Sequence, residues 1–180
     1  MKIRKNQSLG FTLIELLIVI ALLGALAVGL LASIDPFEQL KKGTDTSVRN
    51  MVSEVYNSAI RYYAAKNGFP WGTDLTAAAM SGNNFTDSTT GYITQIVGAG
   101  ELKAGFAQLA GSGNLAKIKV TSIASGGTRS TVAVCYQPDS KSFQNDANTK
   151  FQSDGNLWTA ATACKSQTSA NGTDCYWCVQ

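Results

Sequence analysis

Few side chains among these 180 residues could do covalent, metal or acid–base chemistry. Four cysteines, Cys135, Cys164, Cys175 and Cys178, stand beside twelve acids and no histidine. The missing imidazole removes a histidine general base, a Ser-His-Asp or Cys-His nucleophile pair and most zinc sites. Cys175-Tyr176-Trp177-Cys178 has the two-residue gap of redox and zinc motifs. A redox motif needs a thioredoxin-like βαβ setting that is absent here, and zinc would need all four thiolates, so no metal site is expected. Asp139, Asp146, Asp154 and Asp174 fall in predicted loops without the dense spacing of a calcium loop, which leaves calcium as an option and no cofactor as the expectation. No activated serine or carboxylate pair suggests an active site, so the chain is not expected to be an enzyme. The acid in the most unusual setting is Glu15.

Glu15 is the single charge between Phe11 and Ile34. A helix over those residues spans ~36 Å, more than a hydrocarbon layer of about 30 Å, so the segment is long enough to cross a bilayer. It exceeds the apolar core of a secretory signal peptide, and no small-x-small site closes it before Asp35-Pro36. A carboxylate at membrane depth is costly and marks a partner or a function. Charge is equally localised: of the net +3, Lys2, Arg4 and Lys5 carry all, and the chain from residue 11 onward is neutral. A basic tip of that kind stays in the cytoplasm. It supplies no basic surface elsewhere, so nucleic acid is not an expected partner, and Tyr62, Tyr63, Trp71, Trp158 and Trp177 read as core and interface residues.

The run Gly10-Phe11-Thr12-Leu13-Ile14-Glu15-Leu16-Leu17, preceded by a short basic leader and continued by an apolar helix, resembles the type IV prepilin family. The resemblance implies a prepilin peptidase that cuts between Gly10 and Phe11 and N-methylates Phe11. Glycine suits the cut, since a residue without Cβ lets an enzyme approach the backbone. It also implies that Glu15 pairs with the amino terminus of a neighbouring subunit, each charge neutralising the other in an apolar core. The implied fold is α+β: a long kinked amino-terminal helix, half transmembrane, packed against a small antiparallel sheet and a disulfide-stapled carboxy-terminal loop region. The implied organisation is a cleaved leader over 1–10, a transmembrane and assembly helix over 11–35, the second half of the long helix over 36–68 and an exported head over 69–180. The implied role is a structural subunit of a type IV pilus or related filament, serving adhesion, motility or DNA uptake. The implied partners are copies of itself, the prepilin peptidase and the inner-membrane assembly machinery. The implied location is the cytoplasmic membrane before assembly and outside it afterwards. The alternatives are a type II secretion pseudopilin, a relative that commonly binds calcium, and a minor tip subunit that binds DNA or a surface ligand.

Local signals fill in the head. Asp35-Pro36-Phe37-Glu38 predicts a helix restart with Asp35 as cap, Pro36 in the first turn and Glu38 completing a capping box. Val48, Val52, Val55, Ala59 and Tyr62 recur at helical spacing, and Asn67-Gly68 ends the helix. Short helices are predicted over Thr73–Met80 and Glu101–Leu109, the second with Leu102, Phe106 and Leu109 on one face. Strands are predicted at Ile118–Ile123, Thr131–Tyr136 and Lys141–Gln144, turned by Gly126-Gly127 and Pro138-Asp139-Ser140 into an antiparallel meander over the Val48 stripe. Residues 145–180 show no period and read as a loop-rich flap. An exported head is oxidised, so the even cysteine count predicts two disulfides whose pairing stays open. Asn84-Phe85-Thr86 and Asn171-Gly172-Thr173 match the glycosylation pattern without any further signal.

Overall fold

The computed structural model describes residues 10–33, 35–72, 78–79, 85, 91–125, 128–158, 168–169, 172–173 and 175–180. The chain divides into two compact units, Met1–Phe37 and Glu38–Gln180.

In the first unit, Leu13–Ser33 forms helix α1, and none of its residues is buried. A helix that is apolar on every face has no single side to pack on a core, so it suits an apolar solvent. By length and composition α1 can cross a membrane. Helix α2, Pro36–Lys66, begins where the sequence predicts, and Asp35 Oδ1 accepts the Phe37 N–H at 3.0 Å. A proline in the first turn loses no helical hydrogen bond, because that N–H has no partner in the helix.

The second unit is built on the rest of α2. Its predicted stripe is buried: Val48, Val52 and Ala59 are fully covered and Val55 nearly so. The helix ends at Asn67, which takes the left-handed conformation (φ 54°) and donates its N–H to Tyr63 O at 2.7 Å. Helix α3 (Tyr92–Gly98) then contributes Ile93 and Ile96 to the core. It closes in a Schellman motif, with Gly100 N–H on Val97 O (2.9 Å) and Glu101 N–H on Ile96 O (3.1 Å), and Gly100 at φ 80°.

That cap corrects the predicted Glu101–Leu109 helix. Glu101 is used in closing α3, and helix α4 runs only over Phe106–Ala110, after Gly105 in a left-handed conformation. Leu102 is buried while Leu109 is 74% exposed, so the two do not share a face. Helix α5 (Ser112–Lys117) follows and leads directly into the strand that begins at Ile118.

The main sheet has five antiparallel strands in the order β1-β2-β3-β7-β4. They are β1 (Ala78–Ala79), β2 (Ile118–Ser125), β3 (Thr128–Tyr136), β4 (Thr149–Phe151) and β7 (Tyr176–Val179). Strands β5 (Thr168–Ser169) and β6 (Gly172–Thr173) form a separate pair. Alternation places Ile118 and Val120 of β2 and Val132, Val134 and Tyr136 of β3 in the same core as the α2 stripe, all fully buried.

Four expectations are corrected. Ala78–Ala79, predicted helical, is a strand pairing with Val120 and Lys119; the other residues of the predicted Thr73–Met80 helix, apart from these two, lie outside those described. An alanine run carries no periodicity, so the free edge of β2 decides its state. Lys141–Gln144 is not a strand but a one-turn helix, α6. Four residues fit a period of two and a single helical turn equally well, and Ser140 Oγ, accepting the Phe143 N–H, selects the helix. The sheet is not a meander, because the last strand enters between β3 and β4. Residues 145–180 are therefore more than a flap: β7 packs Trp177 edge-on against Tyr136, with ring centroids 5.8 Å apart. Gly126-Gly127 and both glycosylation asparagines, Asn84 and Asn171, lie outside the described residues.

Candidate processing and assembly segment

Gly10 and Phe11 stand free of packing at the start of α1, and the Phe11 side chain is 85% exposed. The basic residues Lys2, Arg4 and Lys5 lie outside the described residues. Thr12 and Glu15 form a reciprocal capping box. Glu15 Oε2 accepts the Thr12 N–H (2.9 Å) and the Thr12 hydroxyl (2.7 Å), and Thr12 Oγ1 accepts the Glu15 N–H (3.3 Å). The first N–H groups of a helix have no partner inside it, and in hydrocarbon no water replaces one. Thr12 thus gives the carboxylate donors within its own chain, which lowers the cost of placing it in an apolar medium. The spacing Thr12-x-x-Glu15 was readable as a capping box in the sequence. Attention to Glu15 as an intermolecular group hides this intramolecular role.

A second constellation, which periodicity did not reveal, fastens the head to α2. Asp45 is fully buried, and its two oxygens accept the backbone N–H groups of Asp139 (3.1 Å) and Ser140 (2.8 Å). One turn on, the Arg49 guanidinium lies over the rings of Phe143 (4.4 Å) and Trp177 (4.5 Å) and bonds Asp146 at 3.2 Å. Near the start of α2, Glu38 Oε1 accepts the Ser142 N–H at 3.4 Å. Three charged side chains along α2 therefore hold the segment from Asp139 to Asp146. Asp45 and Arg49 escaped the sequence reading because isolated charges on a helix read as its solvated side, and Glu38 was expected only as part of the capping box.

Replacing Asp45 by alanine strands two buried donors, each costing ~1–3 kcal/mol. The head of Asp45→Ala is expected to lose about 2–5 kcal/mol in urea unfolding of the detergent-solubilised chain followed by tryptophan fluorescence. An unchanged midpoint would remove Asp45 from the account. Beside this cluster, burial pushes the Tyr136 hydroxyl up to about 12, against the opposing pull of the Arg49 guanidinium. The neutral phenol is the form the fold favours, so its contribution is complete below the ordinary tyrosine range near 10 and is lost as pH rises toward 12. In an alkaline titration at 295 nm, the signal lost in Tyr136→Phe should ionise near 12. Its ionisation near 10 in the folded chain would contradict the burial.

Cys135 and Cys178, directly paired across β3 and β7, form a disulfide with Cα atoms 4.1 Å apart. Cys175 is also disulfide-bonded, while Cys164 lies outside the described residues. The acids considered for calcium are engaged elsewhere. Asp139 pairs with Lys117, Asp146 with Arg49, and Asp154 accepts from Asn156 within its own turn. Asp174 lies outside the described residues, and no cluster of three or more potential ligands occurs among those described. Four of the aromatics considered for a stacking platform have packed neighbours: Tyr63, Phe69, Trp71, Phe85 and Tyr92 form a contiguous chain of rings, and Tyr62 and Trp177 pack on the core.

Comparison with protein families finds a match in the amino-terminal segment. The prokaryotic N-terminal methylation motif covers residues 5–31, from the basic leader through most of α1. Neither the curated proteins nor the solved structures yield a match to the chain. The match supports reading this amino-terminal segment as that of a type IV pilin- or pseudopilin-like prepilin. The motif implies processing by a prepilin peptidase, assembly into a pilus-like filament and membrane anchoring through α1 beforehand.

Proposed function

We propose that the chain is a structural filament subunit of the type IV pilus kind. A prepilin peptidase cuts between Gly10 and Phe11, removing the leader over 1–10, and methylates the new amino terminus. The segment over 11–35 holds the subunit in the membrane and then bundles with copies of itself. Residues 36–68 continue the helix, and 69–180 form the head that tiles the outer surface. Glu15 takes the amino terminus of a neighbouring Phe11 and sets the axial register. No cofactor is required, and the role is structural rather than catalytic.

The observation that supports this reading best is a coincidence. The methylation motif falls on a helix of 21 residues with no buried side chain, an apolar surface far larger than a lone soluble chain exposes. A bilayer covers that surface before assembly, and neighbouring helices cover it afterwards. Immunogold electron microscopy with antibody to the head tests the proposal. Label along the length of surface filaments is expected. Label confined to the cell membrane would leave the chain a membrane-anchored protein, and label only at filament tips would favour the minor-subunit alternative.

A further inference from the structure

The face of the main sheet opposite α2 carries a polar cleft of about 290 Å³, lined by Ala116, Lys117, Lys119, Gln137, Asp139 and Tyr176. Its composition follows from strand register. Ile118 and Val120 point into the core, so Lys119 between them points the other way. Tyr136 and its partner Trp177 also belong to the core side, so Tyr176, the neighbouring residue of β7, and Gln137, the residue just past the end of β3, fall on the face of Lys119. Strands β2 and β7 and the residue that follows β3 thus bring an ammonium, a phenol and an amide to one cleft. At the rim Lys117 pairs with Asp139. Lys119 has no carboxylate partner among the described residues, although it is half-buried in a concave, polar setting.

We propose that this cleft binds a carboxylate-bearing sugar, with the carboxylate on Lys119 and the ring hydroxyls facing Gln137 and Tyr176. Charge selects the ligand: two ammoniums and one carboxylate leave a single uncompensated positive charge, which one carboxylate matches. A dianionic phosphate would face Asp139 as well. Size agrees, because the volume lies at the small end of ligand clefts and suits one sugar ring. An amide supplies both donor and acceptor for hydroxyls, and an aromatic side chain can lie against the apolar side of a sugar ring. The inference concerns the head alone and holds whether the filament reading stands or falls.

Saturation-transfer NMR of D-glucuronate with the detergent-solubilised full chain tests it, with D-glucose and inorganic phosphate as parallel probes. Saturable transfer from glucuronate and none from glucose is expected. Lys119→Gln should weaken glucuronate about tenfold, the scale of one charge-assisted hydrogen bond, while Lys119→Arg retains binding. Circular dichroism of both variants confirms that the fold is intact. The proposal is overturned by the absence of saturable transfer, by glucose binding equally well, or by an unchanged affinity in Lys119→Gln. Phosphate displacing glucuronate at lower concentration would reduce the cleft to a simple oxyanion site and overturn the sugar assignment.

Discussion

Glu15→Gln is expected to leave a helical, membrane-inserted and processed subunit and to cut filament yield by on the order of 100-fold. Glutamine can serve the third helical position of a capping box as glutamate does, so the bonds to Thr12 keep their geometry and α1 begins where it did. What disappears is the charge. In the proposed filament the Phe11 ammonium then lies in an apolar bundle without a counter-ion, and removing one member of such a pair costs far more than the pair contributes. Glu15→Ala removes the capping bonds as well, and should add a fraying first turn to the same assembly defect. The pair of variants separates the two roles of the carboxylate. Assembly yield after shearing reports the charge, and circular dichroism in micelles reports the cap. Normal filaments from Glu15→Gln would show that the capping box is the whole function of this residue.

The second large effect concerns the head. Cys135 and Cys178 are separated by 43 positions, and closing a loop of that length removes about 4 kcal/mol of unfolded-chain entropy. Cys135→Ser with Cys178→Ser is expected to destabilise the head by roughly 2–5 kcal/mol in urea unfolding. The consequence extends beyond the bond. The bond joins directly opposed residues of β3 and β7, and β7 separates β3 from β4. Losing it should therefore loosen β4 and β7 before β2 and β3, whose pairing extends over most of their length. Hydrogen exchange can see that order, with earlier loss of protection at Trp177 and Phe151 than at Val120 and Val134. Uniform loss across all four strands would indicate a single cooperative sheet.

The elements that the sequence revealed were those with a sustained pattern. Twenty-four residues with a single charge marked α1, and a five-member stripe at helical spacing marked the buried face of α2. Alternation over six or more residues found β2 and β3. The failures share a cause, since each involved a segment too short for periodicity to choose its state. Lys141–Gln144 became helical because Ser140 capped it, Ala78–Ala79 became a strand because β2 offered an edge, and Glu101 was taken into the Schellman closure of α3. The insertion of β7 between β3 and β4 depends on a contact over 43 positions and leaves no local trace. In the amino-terminal segment the motif residues were legible, while the Thr12–Glu15 box required asking what the carboxylate does within its own chain. Asp45 and Arg49 were hidden for the opposite reason, as charges on a helix normally face water.

The central claim is that this chain is trimmed at Gly10 and built into a filament through the helix that follows. Intact-mass and amino-terminal peptide mass spectrometry of sheared, purified surface filaments tests it most directly. A mature chain that begins at Phe11, carries one N-methyl group and lacks the leader with Lys2, Arg4 and Lys5 is expected. A filament-associated chain that begins at Met1, or no chain in the filament fraction at all, would contradict it.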